Sequence, residues 1–498
     1  MKPWGGRDST APLAVLTCIV ALGAALRLRY FHGVVGPDNF EYVSIAHSLA
    51  RGTALYAPDP FAFNELFPYD VGRLSVVLPL ALSFAWLGAS ELTAALWPLA
   101  CSLVTIVVGF ALGRHLAGPV AGLVAALVLT INGLEVLYAT TPLPDSIVAV
   151  FVGLSVWQFL VGLDHQGRRG ALAFAASGAL LGIAYYARVN ALAVFLFFAV
   201  WLLWSRRRPP RRLTFVLVGG LAVLALGTAF VIWGGGSPWF ELTHNARLSA
   251  HNSVLVARRG GLDPLVEFGR LLFVHPLLRD WTLLAGAALL LLLTWRDRRL
   301  ALPVIWVGVL YLYFEILSQY PAVSLVQKEP RYLTLLSVPL ALMIGLAADR
   351  LWHATPDARW GAVAVAVLVL LVGWLVAAPS LRVTGILVAE QRGLEARAPR
   401  EAAAALRELP PRPISVTGNW LRYLNFFGGY RYGLDVFDPT TYATATLQWV
   451  ALDAGSRPVH VRAGYVVHDE RRNLDVPPEW TLVKRGYRFA IYSVPASP

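Results

Sequence analysis

The chain has 498 residues, 57% of them hydrophobic and 14% charged, with a formal net charge of +12. Soluble domains carry about 25% charged residues, so this composition excludes an ordinary water-soluble enzyme and makes lipid the solvent. Cys18 and Cys101 both lie in apolar runs, which excludes a disulfide scaffold.

In chain order, the first apolar run, residues 11–26, follows Lys2 and Arg7 and has no small-residue cleavage site before Arg27. It reads as a retained signal anchor. A spanning helix needs about 20 apolar residues. Spans are expected at 11–29, 92–113, 119–137, 146–163, 213–233, 281–295, 301–318, 332–348 and 360–378. The stretch 171–204 is too long for one span and is interrupted by Arg188 and Asn190, so it reads as a helical hairpin. Residues 73–88, with Pro79 inside, read as interfacial or re-entrant.

That count gives a polytopic α-helical protein of about eleven spans. The basic loops then fall on the cytoplasmic side: Arg114/His115, Arg168/Arg169, Arg206 to Arg212, Arg296/Arg298/Arg299 and Arg350. The positive-inside rule prefers this arrangement, and the cationic excess reads as topology, with no nucleic-acid partner implied. Residues 1–379 form the transmembrane domain. Its loops 30–72 and 234–280 share the extracytoplasmic face with an α/β domain, 380–498. In that domain strands are expected at 414–417 and 459–467, a helix at 441–452, and a hairpin at 481–494 turning around Lys484-Arg485-Gly486.

Four elements carry candidate chemistry. Pro37-Asp38-Asn39-Phe40-Glu41-Tyr42 opens the first loop and leads into a helix with an apolar stripe (Tyr42/Ala46, Ile45/Leu49) suited to the membrane surface. Pro144-Asp145-Ser146 puts a second acid on the same face. Each carboxylate also reads as an N-cap. Together they suit a general base or a cation site. Gln327-Lys328-Glu329-Pro330-Arg331-Tyr332 offers paired cations on the outer face. They either snorkel as anchors or clamp a phosphate, for which Arg supplies a matched fork. Arg188, at the hairpin tip, is an ionisable group near the membrane, either functional or simply solvated.

In this order the elements resemble the C superfamily of glycosyltransferases, membrane enzymes that use polyprenyl-phosphate-linked sugars. The resemblance covers about three quarters of the chain. The local match is to lipid-phosphate-mannose-dependent mannosyltransferases of the GPI-anchor and N-glycan type, through Pro37-Asp38, Ala46-His47, Asn64-Glu65, Arg73, Pro79 and the run Gln327 to Tyr332. Asn39 stands where those enzymes carry a second acid, Gln327 where they carry His, and Leu74 separates Arg73 from Ser75. The tail is more like that of bacterial aminoarabinose and arabinofuranose transferases.

The resemblance implies an inverting transfer of a sugar, mannose favoured and arabinose among the alternatives, to a glycan, lipid or protein hydroxyl. Asp38 is then the base, with Asp145 a second catalytic carboxylate. Lys328, Arg331, Arg73 and Arg188 face the donor phosphate, and Glu41, His47, Glu65, Glu329 and Tyr332 complete the substrate site. No cofactor is implied, with a divalent cation left open, and the setting is a plasma (inner) membrane with the site outside. Rival readings are a flippase, which would show matched inverted halves, and a scaffold using the tail. The aromatic run Tyr423, Phe426, Phe427 and Tyr430 reads as a sugar-stacking surface or as a core helix.

Overall fold

The computed structural model describes residues 10–52, 73–205, 211–234, 237–239, 263–316, 329–355, 357–416, 421–429, 447–449, 451–452, 458–459, 463–471 and 475–495. Among these, seven helices are long and apolar enough to cross a membrane, eight if one bent pair is a single span. The chain is a multi-pass membrane protein.

The helices follow the hydrophobic runs. α1 (Thr10–Arg29), α4 (Glu91–Leu116), α7 (Pro144–Asp164), α8 (Gly167–Ala187) and α10 (Thr214–Trp233) are full-length spans. The hairpin at 171–204 is present: α8 ends at Ala187, a 3-10 turn covers Val189–Leu192, and α9 is Ala193–Trp204. α8 and α10 cross with their backbones in contact. A Cβ at Gly178 would fall on the carbonyl of Val216, and one at Gly219 on that of Ala175. Such close approach is how helices associate where lipid removes the hydrophobic drive.

Two segments differ from expectation, and a third, 73–88, fits its reading as interfacial or re-entrant. The run 119–137 is not one helix: α5 (Pro119–Ile131) ends at Asn132, and α6 (Gly133–Tyr138) restarts there. The Asn132 side chain caps the restart by accepting from the amides of Leu134 and Glu135. α2 (Pro37–Ala50) does not lie on the membrane surface, because Tyr42, Val43, Ser44, Ile45, Ala46 and Ser48 are all buried. It is sandwiched between α3 (Leu74–Leu87) and a helix of the tail. α3 itself is 14 residues, about 21 Å at the helical rise, short of a bilayer's ~30 Å core.

The second half holds α11 (Asp263–Val274), bent by 94° against α12 (Arg279–Thr294), then α13 (Ala301–Glu315) and α14 (Ser337–Ala354), entered through a 3-10 turn at Pro330–Leu336. From Ala358 to Glu408 the chain is helical throughout: α15 (Ala358–Val372), α16 (Ala378–Glu390) and α17 (Arg397–Glu408) are joined by π-helical turns. It passes the expected domain boundary at 379/380 without a break.

The tail folds as a mixed five-stranded sheet, ordered β2-β1-β5-β7-β6, from β1 (Ile414–Val416), β2 (Leu447–Trp449), β5 (Gly464–Asp469), β6 (Thr481–Gly486) and β7 (Phe489–Val494). β1 runs parallel to β2 and β5, and β7 antiparallel to β5 and β6. β3 (Ala451–Leu452) and β4 (Pro458–Val459) form a separate pair. Ala402, Ala403 and Leu406 of α17 pack with Ile414, Val416, Tyr465, Val467, Phe489 and Ile491. The expected helix at 441–452 is corrected at its end, where 447–449 and 451–452 are strands. The expected strand at 459–467 is likewise two strands, β4 and β5, ending at Asp469. The hairpin turns at Tyr487-Arg488 rather than at Lys484–Gly486, with only the second of the two, Arg488, in left-handed conformation (φ 60°), as in a type II turn.

Candidate active site

Two helices open with the same dipeptide. Pro37-Asp38 starts α2 and Pro144-Asp145 starts α7, each Pro in the first turn where its missing N–H costs no hydrogen bond. Neither acid is the cap. The N-cap positions are Gly36 and Leu143, and neither makes a side-chain cap bond. Each carboxylate instead pairs with a distant arginine. Asp38 Oδ2 accepts from Arg331 Nη2 at 3.0 Å, and Asp145 Oδ1 lies 3.1 Å from Arg188 Nη1.

The two pairs differ in setting. Asp145 and Arg188 are 1% and 7% exposed, whereas the Asp38 side chain is 47% exposed. Arg188 is therefore no solvated tip residue. Its guanidinium also stacks over the Tyr332 ring at 4.0 Å, a cation–π contact strengthened by burial. Among the described residues, no donor is aligned for hydrogen bonding to either oxygen of Asp145. The pair is held by charge rather than by a hydrogen-bond network.

Glu329 and Tyr332 complete the cluster. Glu329 Oε2 lies 2.6 Å from Arg331 Nε, so Arg331 bridges two carboxylates. Burial pushes the Glu329 carboxyl above the usual carboxylate range, with the charges of Asp38 and Asp145 adding to it against the pull of Arg331 and Arg188. Arg73, just before α3, lies over the Tyr42 ring of α2 at 5.5 Å. Five of the residues singled out from sequence (Asp38, Asp145, Arg188, Glu329 and Arg331) thus converge, with Tyr332 between the two arginines and Arg73 at the edge. Glu41 and His47 lie on α2 and are half-buried. Glu65 and Lys328 lie outside the described residues. Among the described residues, no three His, Cys, Asp or Glu gather as metal ligands would.

An apolar cavity of about 430 Å³ is lined by Leu74, Leu78, Trp97, Tyr186, Gly227 and Phe230 among others. Leu74 follows Arg73 directly, and Tyr186 precedes Arg188 by two residues. This oily groove, built by α3, α4, α7, α8 and α10, therefore adjoins Arg73 and the turn that carries Arg188. Gly227 keeps it open, since a Cβ there would fall on the Tyr186 ring.

Arg27 and Glu135 are among the buried ionisable residues that the sequence did not single out. Arg27 is wholly buried, donating to Ser102 Oγ at 2.8 Å and to the carbonyls of Gly23, Leu129 and Thr130 at 3.2–3.3 Å. Glu135, on α6, is 1% exposed and hydrogen-bonds Ser337. An acid inside the apolar run 119–137 was the available signal. It is a symptom of the helix break at Asn132, which hydropathy alone does not show.

Comparison with known proteins gives this geometry its context. A family profile described as dolichyl-phosphate-mannose-protein mannosyltransferase matches residues 76–233. Among solved structures, ArnT from Cupriavidus metallidurans in the apo state superposes with a TM-score of 0.66 at 18% identity, covering 98% of this chain and 100% of that one. The chain has the fold of ArnT along its whole length. An oligosaccharyltransferase from Archaeoglobus fulgidus also shares the fold, with TM-score 0.59 and 13% identity over 93% of this chain and 70% of that one. No curated protein matches the sequence. The tail is part of the fold shared with ArnT, which is covered from end to end.

Proposed function

We propose that the enzyme moves a sugar, mannose in the first instance, from a polyprenyl-phosphate donor to an acceptor hydroxyl, with inversion, on the extracytoplasmic face of the plasma membrane. The observation that carries this reading is an apolar groove whose lining residues Leu74 and Tyr186 lie next to Arg73 and two residues from Arg188, the latter in one cluster with the Asp38–Arg331 pair. A polyprenyl tail needs an oily path, and its phosphate needs cations at the end of that path. The profile matching residues 76–233 is named for a dolichyl-phosphate-mannose donor. ArnT from Cupriavidus metallidurans has been solved bound to undecaprenyl phosphate, and that structure superposes with a TM-score of 0.63 at 17% identity.

Asp38 is the exposed carboxylate, so it meets the acceptor. It takes the hydroxyl proton as the oxygen attacks the anomeric carbon, and the carbon–oxygen bond to phosphate breaks. The pair from that bond leaves on the phosphate, whose growing charge falls to Arg331 and Arg188. Asp145 fixes Arg188 from behind, and Lys328 is assigned to the same phosphate. The acceptor, a glycan, lipid or protein hydroxyl, approaches from the side of the tail.

Purified enzyme incubated with undecaprenyl-phosphate mannose, and in parallel with the arabinose donor, tests this. Release of undecaprenyl phosphate that depends on Asp38 is expected. No release from any polyprenyl-phosphate sugar would sink the proposal.

A further inference from the structure

The helix that carries Asp38 is held by the tail as well as by the membrane domain. Residues two apart on a helix point about 200° away from each other, so Asp38 faces Arg331 while Phe40 faces the opposite way. Phe40 is fully buried. Its ring centroid lies 4.0 Å from that of Tyr423, 5.4 Å from Phe427 and 5.7 Å from Phe426. These three rings belong to α18 (Leu421–Phe427) of the tail. They are committed to α2, which displaces the reading of this run as a sugar-stacking surface.

The turn leading into α2 is fastened to the tail as well. Glu91, at the start of α4, accepts from the Val34 amide at 3.0 Å and from Arg400 of α17. Arg400 also donates to the His32 carbonyl at 3.4 Å, and its guanidinium lies over the Phe427 ring at 5.1 Å. Gly33 has φ +76°, and a side chain there would run into Glu91 and Arg400. His32 beneath is buried, and that burial pushes its imidazole down to about 4, with Arg392 and Arg400 adding to the effect against a backbone hydrogen bond to Tyr30. It stays neutral, so Arg400 keeps Glu91 without a competing cation.

We propose that Phe40 and Arg400 are positioning residues through which the C-terminal domain sets the place of Asp38. Neither touches the reacting atoms. The domain acts on the chemistry by holding α2 from behind, and this rests on Asp38 serving as the base. Misplacing a catalytic group by an ångström costs as much as a hundredfold.

The test uses the full chain in lipid nanodiscs with undecaprenyl-phosphate mannose, reading single-turnover release of undecaprenyl phosphate and the donor KM. Phe40→Ala should lower turnover about 10- to 100-fold while leaving donor KM within about twofold. Arg400→Ala should do the same, with Arg400→Lys recovering most of the loss. In an Asp38→Asn background, Phe40→Ala should cost less than about twofold more, because the group it positions is already gone. Multiplying losses in the double variant, or kcat and KM moving together, overturn the proposal and leave Phe40 as packing alone. Should Phe40→Ala not fold, Tyr423→Leu makes the same cut from the tail side and is judged by the same criteria. Full activity of Asp38→Asn alone would refute the assignment of the base, a different failure from additivity in the double variant.

Discussion

Arg331 reaches back across 293 residues of chain to hold Asp38 at 3.0 Å, and the same guanidinium holds Glu329. One side chain thus ties the proposed base on the first loop to the element entering α14. Arg331→Lys keeps the charge but loses the planar fork. Arg331→Ala should lower turnover by an amount worth about 2–4 kcal/mol, the usual cost of one preorganised donor at a developing anion. Arg331→Lys should fall between it and wild type. The loss belongs in kcat rather than in donor affinity alone, because phosphate charge grows toward the transition state. Turnover within twofold of wild type for Arg331→Ala would reduce the residue to an anchor.

Asp38→Asn is nearly isosteric and takes no proton. Turnover should drop ~10²–10⁴-fold with an unchanged melting profile. Asp145→Asn differs, because it leaves Arg188 buried beside a neutral amide. Breaking a buried pair from one side costs about 3–5 kcal/mol, so its melting temperature should fall together with its activity. A fully stable, inactive Asp145→Asn beside an active Asp38→Asn would exchange the two roles.

Glu329 pairs with Arg331, so on the proposed mechanism it competes with the donor phosphate for that guanidinium. Its carboxyl sits above the usual range in the folded protein, so it takes up a proton as pH falls through the weakly acidic region, before an exposed glutamate would. Protonation removes the competing charge, and donor KM should therefore fall as pH drops there and rise again as Glu329 ionises. Glu329→Gln should lower KM about two- to fivefold at neutral pH, as expected of a partly exposed charge, and flatten that pH dependence. An unchanged KM–pH profile in Glu329→Gln would show that Glu329 is not the titrating group.

The groove offers a test by chain length. Gly227→Leu displaces the Tyr186 ring and so closes this part of the groove. KM for a long polyprenyl donor should rise at least tenfold, about 1.4 kcal/mol, while a donor of two isoprene units is affected less than about twofold. Equal effects on both would place the tail elsewhere.

Topology follows from the basic loops. Cysteines placed in 205–212, most of which lies outside the described residues, should resist an impermeant reagent added outside intact cells. Cysteines near Asp38 and in the tail should react. Outside labelling of 205–212 would invert the assignment of the active face.

Much of this site is local and was legible as such. Pro37-Asp38 and Pro144-Asp145 announce helix starts bearing acids, and Glu329-Pro330-Arg331 stands out because cations are disfavoured on that face. What stayed hidden depends on partners far away in sequence. Hydropathy shows that Arg188 interrupts a hairpin, yet nothing near residue 188 reveals that Asp145 neutralises it. The burial of α2 was misread for the same reason, since the stripe of Tyr42, Ile45 and Ala46 suits lipid or protein equally well. Only the tail rings on Phe40 decide between them. The break at Asn132 was concealed by apolar residues on both sides, although Glu135 marks where it lies.

The burial of Arg27 bears on how the protein is made. When α1 leaves the ribosome, none of Ser102, Leu129 and Thr130, which later receive its guanidinium, has yet been synthesised. The first helix must enter the bilayer with Arg27 extended toward the interface. It turns that side chain inward only after residues 102–130 have been inserted. A chain truncated before α5 keeps Ser102 but lacks the Leu129 and Thr130 carbonyls that complete the site of Arg27.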